Sequence, residues 1–366
     1  MTLPSRSGAS KTACFSSKHW GAVGIHRSFR RNRKPSIASR EAKSREENTT
    51  PMPTTNVLSK EKVRLGFIGL GIMGSRLAHR LHAASWNIRA WNRSHEPARE
   101  LSQAGIPIAE SMADLVAGSD VILSSLANDA AVDSVYRDDA GVFSTARPGT
   151  IILEMSTISP TLSQLLHLEA SVRRLRLIDL TISGSAPAVE AGTVTLFAGG
   201  DQSTFEQCTP IYESIAKQWF RMGDGASGVQ MKLVVNLLLG VGMQAVAEAV
   251  SLGEHLQLDK TVLLDVLSKT AVIPPALVGK FKKIESDDYS PQFPLRLMSK
   301  DMDLILETAK ATGADLPAAS AAKSVLDANV EAKGDLDLSA ITPFMVDHAS
   351  QQSKLRKITE TSGVRS

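Results

Sequence analysis

Three residues of the 366-residue sequence, Gly228, Lys232 and Asn236, follow one another at intervals of four. Residues at this spacing share one face of an α-helix, and the surrounding segment is apolar enough for a buried helix. Burial lowers the pKa of an amine, which suits a lysine to exchange protons near neutral pH. The pattern indicates a proton donor, Lys232, held by the amide of Asn236. A lysine that extends to solvent beside a core asparagine would give the same pattern.

A glycine-rich segment, Gly69-Leu70-Gly71-Ile72-Met73-Gly74, follows the apolar run 63–68 and precedes a stretch with helical spacing. In this context G-x-G-x-x-G binds the pyrophosphate of a dinucleotide. Gly69 allows the tight turn, Gly71 lets backbone amides approach the phosphates, and Gly74 lets helix and strand pack closely. We therefore expect all six residues to form the cofactor loop, although a tight turn without a ligand has the same sequence.

The segment Asn92-Arg93-Ser94 lies about where the residue that reads the cofactor's ribose belongs. An acidic side chain there would bind the 2′-hydroxyl of NAD and repel a 2′-phosphate. A neutral Asn92 followed by the guanidinium of Arg93 suits the phosphate of NADP instead. The sequence predicts NADP(H) as the preferred cofactor, with NAD(H) possible, while a plain surface arginine is the alternative for Arg93.

Alternating strands and helices should position these motifs. Six β-rich apolar runs predict strands over 63–68, 87–91, 121–126, 151–155, 175–182 and 194–198. Such alternation implies a doubly wound, mostly parallel sheet of the Rossmann type. Leu126, at the end of the third run, is expected to pass near the cofactor.

One apolar helix should follow from Val229 to Leu256, with a length of about 40 Å. Its polar residues make a lipid-facing span unsuitable, which places it in a helical domain or an oligomer: Asn236, Gln244, Glu248 and Glu254. Further helices should begin near Asp259, Pro274, Pro294, Pro317 and Ser339. The predicted fold is α/β, a Rossmann-type domain over 61–224 followed by an all-α substrate and oligomerisation domain over 225–353, built on the long interdomain helix.

The ends of the chain differ from its body. Residues 1–51 hold eleven Lys/Arg and three Glu, whereas residues 52–366 hold 30 basic and 35 acidic residues. The segment 1–60 is therefore predicted to be a basic disordered extension or a targeting segment, and 354–366 a tail. We expect a cytoplasmic protein, or a mitochondrial or plastid one if residues 1–51 are a transit peptide. Because the body is mildly acidic, the basic pI of the whole chain, about 8.8, says nothing about nucleic-acid binding by the folded part.

No metal site is expected. Cys14 and Cys208 are far apart, and none of the eight histidines has metal-ligand spacing with another suitable residue. This cysteine content also indicates a reducing compartment.

Taken together, the motifs resemble the β-hydroxyacid dehydrogenase family, in particular its glyoxylate/succinic semialdehyde reductase and 3-hydroxyisobutyrate dehydrogenase branches. The resemblance covers about residues 63–350. It rests on the cofactor signature at 67–74, the substrate signature Asp179-Leu180-Thr181-Ile182-Ser183-Gly184-Ser185, the lysine motif, and Lys300-Asp301-Met302-Asp303-Leu304 with Gly313 and Pro317. Thr181 departs from the family's usual proline, so we expect a relaxed turn and an altered pocket shape.

The resemblance implies the roles of the matched residues. Lys232 would be the general acid that protonates a carbonyl oxygen as hydride arrives, and Asn236 would orient it and the substrate. Ser183 and Gly184 would bind the substrate carboxylate.

The remaining matched residues would surround the reacting groups. Thr157 would lie beside both nicotinamide and substrate. Phe293 and Asp301 would close the pocket from the helical domain, and Lys300 would touch the cofactor.

The implied reaction is the NADPH-dependent reduction of a small aldehyde or keto acid, of the glyoxylate or succinic semialdehyde type, to the hydroxyacid. The alternative is an NAD-dependent 3-hydroxyisobutyrate or related 3-hydroxyacid dehydrogenase. The family's imine reductases have lost the lysine, and a 6-phosphogluconate dehydrogenase needs a longer helical domain. A non-catalytic dinucleotide-binding scaffold is the alternative from another class. The expected partners are a small carboxylate-bearing substrate and copies of the chain in a homodimer or homotetramer, with no nucleic acid and no membrane.

Overall fold

The computed structural model describes residues 57–349, so the expectations for residues 1–56 and 354–366 lie outside the described residues. Within that range one seven-stranded sheet has the order β2-β1-β3-β4-β5-β6-β7. The strands are β1 Arg64–Ile68, β2 Asn87–Trp91, β3 Val121–Ser124, β4 Ile151–Glu154, β5 Arg176–Ser183, β6 Val194–Gly200 and β7 Ala216–Gly223. β1 to β5 are parallel, and β6 runs antiparallel to β5 and parallel to β7.

Helices cover both faces of this sheet. They are α1 Ile72–Ala83, α2 His95–Gln103, α3 Met112–Ala117, α4 Asp129–Arg137, α5 Val142–Thr145, α6 Pro160–Val172, α7 Ala186–Ala191, α8 Gln202–Gln207 and α9 Thr209–Ile215. Leu65 and Phe67 belong to the core on one face, whereas Ile68 and Ile122 belong to a separate core on the other. Successive strand residues point to opposite faces of the sheet, so both faces are apolar and both must be packed against helices. The predicted doubly wound sheet is confirmed.

Strand β7 was not predicted from the sequence. It has a neighbour on one side only, β6, and its side chains alternate between exposed and partly buried. An edge strand with one solvent-exposed face contains polar residues such as Lys217 and Arg221 among its apolar ones. It therefore lacks the continuous apolar run of the buried strands.

The chain is helical after β7. The long helix α10 spans Ser227–His255, within two residues of its predicted start and one of its predicted end. It is followed by α11 Lys260–Ser268, α12 Pro275–Val278, α13 Phe281–Ser286, α14 Leu295–Thr312, α15 Pro317–Lys333 and a 3₁₀ turn Leu338–Ala340. Asp259 caps α11, its side chain accepting a hydrogen bond from the Val262 amide. Helix α13 had no sequence prediction.

Helix α10 is long and apolar enough to cross a membrane by length and composition alone. In the structure it packs against strands β5, β6 and β7 and against helices α11, α12, α14 and α15. Twelve of its residues are buried, including Asn236 and Gln244. The helix is thus a core element that joins the sheet to the following helices.

Candidate active site

The glycine loop between β1 and α1 has the geometry that a dinucleotide needs. A Cβ atom on Gly71 would meet nothing within 4 Å, whereas one on Gly74 would lie 2.0 Å from the carbonyl oxygen of Gly69. Gly69 has a φ of +90°, which favours glycine. No side chain caps the N-terminus of α1, so its first amides and its dipole remain available to phosphate groups. The loop fits a pyrophosphate at Gly71, with Ile72 and Met73 starting the helix.

Asn92 fixes the end of β2 to the glycine loop. Its Oδ1 atom accepts a hydrogen bond from the Leu70 amide at 2.9 Å, and its Nδ2 atom donates to the Ser94 carbonyl oxygen at 3.0 Å. The Leu70 amide and both polar atoms of Asn92 are therefore engaged within the protein. Arg93 is exposed, and no ion pair holds it within residues 57–349, so its guanidinium is free to meet an anion.

The ends of β3 and β4 meet beside this loop. A Cβ atom on Gly69 would lie 2.9 Å from Cδ2 of Leu126, which places Leu126 against the glycine loop. The Leu126 amide donates to Ser156 Oγ at 2.8 Å. The Ser156 amide in turn donates to Glu154 Oε1 at 2.7 Å. These bonds fix the segment that continues into Thr157.

Lys232 lies one turn into α10, partly buried, and its amine has no hydrogen-bond partner among residues 57–349. Burial lowers the pKa of Lys232 to about 8, the nearby Asp301 carboxylate opposes that shift, and the Lys300 ammonium adds to it. An amine with this pKa holds its proton at neutral pH and releases it readily. Lys232 therefore has the electrostatics of a general acid.

A chain of polar contacts joins α10, through α14, to the segment that follows β4. The Asn236 Nδ2 atom donates to Asp301 Oδ2 at 2.6 Å, and Asp301 Oδ1 lies 2.8 Å from the Lys300 amine. Lys300 also donates to the carbonyl oxygen of Thr157. Four predicted site residues are thus directly connected, and Lys232 interacts electrostatically with two of them.

The Oδ1 atom of Asn236 is buried and has no hydrogen-bond partner in the described part of the chain. A buried amide oxygen without a partner is unfavourable by about 1–3 kcal/mol. The atom is therefore available to accept a hydrogen bond from a donor that enters the site.

Strand β5 presents the predicted carboxylate-binding turn. Ser183 is the last strand residue, and Gly184 follows with a φ of +150° and a Cβ position only 2.7 Å from a Val194 methyl group. Glycine is thus required at 184 on both conformational and steric grounds. The Ser183 hydroxyl makes no hydrogen bond to another residue of the range 57–349.

Phe293 lies on the loop before α14. Its amide donates to Asp337 Oδ2 at 3.1 Å, and its carbonyl oxygen accepts from the Leu338 amide at 2.9 Å. Asp337 is buried and paired with Lys280 at 2.7 Å. Within the described residues, no hydrogen bond joins Phe293 to Lys232 or Asn236, and its side chain packs against the apolar core that includes Leu233 of α10.

Comparison with known proteins identifies the family of this chain. Residues 64–223 match the family model of the NAD-binding domain of 6-phosphogluconate dehydrogenase, and residues 226–345 match the NAD-binding model of NADP-dependent 3-hydroxyisobutyrate dehydrogenase. The chain is 31% identical over 280 residues to glyoxylate/succinic semialdehyde reductase 1 of Arabidopsis thaliana, covering 76% of this chain and 97% of the relative. The chain belongs to the β-hydroxyacid dehydrogenase family.

Two further proteins agree with that assignment. An NAD-dependent L-serine dehydrogenase of Pseudomonas aeruginosa is 34% identical over 269 residues, covering 72% of this chain and 90% of the relative. The crystal structure of a 3-hydroxyisobutyrate dehydrogenase from Salmonella typhimurium aligns with a TM-score of 0.71 at 27% identity, covering 77% of this chain and 99% of the other. This β-hydroxyacid dehydrogenase is therefore an oxidoreductase that acts on CH–OH groups with a nicotinamide dinucleotide.

Several residues that shape the site had no role in the sequence interpretation. Glu154 is buried among the hydroxyls of Ser124 and Tyr136, and its burial raises the pKa of its carboxyl. Asp179, quoted only as part of a signature, is fully buried and bonded to His167. A carboxylate within an otherwise apolar strand is the sequence signal that could have identified both acids, because buried charges need partners.

Proposed function

We propose that this protein reduces a small aldehyde or keto acid, of the glyoxylate or succinic semialdehyde type, to the corresponding hydroxyacid with NADPH. The observation that carries the proposal is the Lys232 amine, which has a lowered pKa and lies in the electrostatic field of Asp301 and Lys300. A non-catalytic scaffold has no use for a desolvated lysine beside a buried amide whose oxygen lacks a partner.

The reaction assigns one task to each side chain. NADPH supplies the hydride when it is bound. Lys232 donates its proton to the carbonyl oxygen as negative charge develops there, and the pKa near 8 keeps that proton available at neutral pH. Asn236, oriented by Asp301, has a second Nδ2 hydrogen to donate to the same oxygen and an unpaired Oδ1 atom to accept from the lysine. The protein then contributes orientation and proton transfer, which are the terms it controls in cofactor-dependent catalysis.

The substrate carboxylate is proposed to bind at Ser183 and Gly184. The hydroxyl of Ser183 is free within the described chain, and the turn at Gly184 exposes backbone groups. Thr157 and Phe293 are proposed to line the remaining walls, with Thr157 beside the nicotinamide. The name of the Arabidopsis relative supports a short acid with an aldehyde group as the substrate class.

The preference for NADPH is proposed from Arg93. Its exposed guanidinium follows the engaged Asn92 at the end of β2, so it can pair with a 2′-phosphate without losing an internal partner. Lys300 is proposed to contact the cofactor as well, since it already bonds Thr157.

The test is a panel of glyoxylate, succinic semialdehyde, 3-hydroxyisobutyrate and L-serine, assayed with both nicotinamides in both directions. We expect the highest kcat/KM for an aldehyde acid with NADPH. Higher kcat/KM for a 3-hydroxyacid with NAD would instead favour the oxidative 3-hydroxyacid dehydrogenase, which the name of the Pseudomonas relative supports. Absence of turnover together with NADPH binding would favour the scaffold.

We also propose that two copies associate through the exposed apolar residues of α6 and α10, two helices that pack together. These residues are Leu165, Leu168, Val234 and Leu238. Leu238 is 71% exposed and Val234, one helical turn before it, is 54% exposed. A contiguous apolar surface of this kind typically marks a protein interface. Light scattering should give a dimer or tetramer for the parent protein and a smaller species for Leu238→Glu, with Lys269→Glu as a surface control.

A further inference from the structure

The carboxylate of Asp179 holds the start of the helix that carries Lys232. Its Oδ1 atom accepts a hydrogen bond from the Ala226 amide and its Oδ2 atom one from the Val229 amide, each at 2.8 Å. Both amides belong to the first turn of α10, where no residue of the helix itself supplies a cap. Ala226 has a φ of +71°, an unfavourable conformation for alanine that needs support. Asp179 provides that support from the neighbouring strand.

A second bond joins the same strand and helix. Thr181, two residues after Asp179 and on the same face of β5, donates its hydroxyl hydrogen to the Gly228 carbonyl oxygen at 3.0 Å. A Cβ atom on Gly228 would lie 2.5 Å from the Asp179 carbonyl oxygen, so helix and strand are in direct backbone contact. The threonine that replaces the family's usual proline is therefore an anchor for the helix. The next residue on that strand face is Ser183.

His167 completes this anchor from helix α6. Its Nε2 atom lies 2.8 Å from Asp179 Oδ1, and its ring is so close to Gly225 that a Cβ atom there would lie 2.6 Å from the ring carbon Cγ. The histidine thus contacts the strained entry to α10 twice, through the carboxylate that caps it and through the glycine before it. Neither His167 nor Asp179 is among the residues proposed to bind the substrate or the cofactor.

We propose that His167 and Asp179 form a positioning pair that sets where Lys232 lies relative to the substrate turn. Lys232 is one helical turn after Gly228, so a shift of the helix entry moves the amine by a similar amount. Misplacing a reacting group by about 1 Å reduces the rate about a hundredfold. The inference rests on the proposed function, because it assigns the consequence of the pair to proton donation by Lys232.

Three variants distinguish the contribution of the His167 ring from that of its hydrogen bond to Asp179. His167→Gln keeps a donor at the position of Nε2 without the ring, His167→Phe keeps the ring without a donor, and Gln164→Ala changes an exposed residue of the same helix. We expect kcat to fall about ten- to a hundredfold in His167→Phe, with the KM for the carbonyl substrate and the affinity for NADPH within about threefold of the parent. His167→Gln should recover most of the loss, and Gln164→Ala should match the parent.

A measurement that does not depend on turnover tests the positioning pair separately from the proposed reductase function. The rate at which a small acylating reagent modifies Lys232, relative to the exposed Lys269 of the same molecule, is measured by peptide mass spectrometry on the full chain. We expect this ratio to change at least threefold in His167→Phe and to return toward the parent value in His167→Gln. If the parent reduces no carbonyl acid, the proposed function fails, yet the acylation ratio still tests the pair. Parent-like kcat and acylation in His167→Phe, or equal defects in the Gln and Phe variants, would overturn the inference.

Discussion

The Nδ2 atom of Asn236 lies 2.6 Å from the Oδ2 atom of Asp301, which joins the middle of α10 to helix α14 through a buried hydrogen bond. The other oxygen of this carboxylate faces the Lys300 amine at 2.8 Å. Lys232 therefore lies in the field of one negative and one positive group, which act on its pKa in opposite directions. A change at Asp301 or at Lys300 should therefore shift the pKa of Lys232.

Replacing the two charged neighbours of Lys232 should move its titration in opposite directions. Asp301→Asn removes the group that raises the pKa of Lys232, and Lys300→Met removes one that lowers it. Because reduction needs the protonated amine, kcat falls as the pH rises through that pKa. We expect the alkaline limb of the kcat profile, measured at saturating NADPH, to move to lower pH in Asp301→Asn and to higher pH in Lys300→Met. Shifts of the same sign in both variants would contradict this electrostatic account.

Replacing Lys232 itself should remove most catalytic turnover and leave the folded structure intact. Lys232→Met should lower kcat for reduction by about 10²–10⁴-fold, the usual contribution of a general acid, while NADPH still quenches or shifts protein fluorescence. In the parent protein kcat should decline above pH 8, because burial lowers the pKa of Lys232 to about 8. Lys269→Met, at an exposed position, serves as the control. Near-normal turnover of Lys232→Met would mean that the proton comes from another group.

The same substitution has a consequence for stability. The pKa of Lys232 is about 8 in the folded protein and 10.5 as the ordinary value, so the unfolded chain binds more protons between those two pH values. The free energy of unfolding of the parent should therefore rise with pH across that window as the buried charge is lost. Lys232→Met should lack this component, which denaturant titrations at pH 8 and 10 can measure. An identical pH dependence in both proteins would show that the amine is not desolvated.

The parts of this protein that the sequence predicted are those with a strong local signal. The strand before Gly69 and the helix around Lys232 were placed within one or two residues, because continuous apolar runs and a four-residue spacing depend only on nearby residues. Strand β7 and the anchoring of α10 by Asp179 were not predicted. An edge strand lacks a uniform pattern, and a contact such as that between His167 and Asp179 depends on which helix covers which strand. Thr181 was interpreted as a relaxation of its turn, whereas its hydroxyl makes a new bond that only the folded chain brings together.

The choice between the two nicotinamides should depend on Arg93. Arg93→Ala should weaken NADPH binding about ten- to a hundredfold, the value of a hydrogen bond to a charged group, and leave NADH binding within about twofold. Arg99→Ala is the matched control, because Arg99 is also exposed but is paired with Glu96 on its own helix. Isothermal titration with each cofactor measures both affinities. Equal losses for NADPH and NADH would remove Arg93 from the recognition of the 2′-phosphate.

Two glycines of the cofactor loop should respond to alanine in different ways, in keeping with their different roles in the motif. At Gly71 a Cβ atom meets nothing within 4 Å and φ is −71°, so Gly71→Ala should leave the free energy of unfolding unchanged or raise it by about 0.4–1 kcal/mol. The added methyl group occupies the space that fits the pyrophosphate, and NADPH affinity should fall at least tenfold.

At Gly74 a Cβ atom would lie 2.0 Å from a backbone oxygen of Gly69, which cannot move like a flexible side chain. Gly74→Ala should therefore destabilise the fold by about 1–3 kcal/mol, as overpacking does. Denaturant titration and cofactor titration of both variants check this, and a Gly71→Ala protein that binds NADPH normally would show that the phosphates do not approach the loop at that residue.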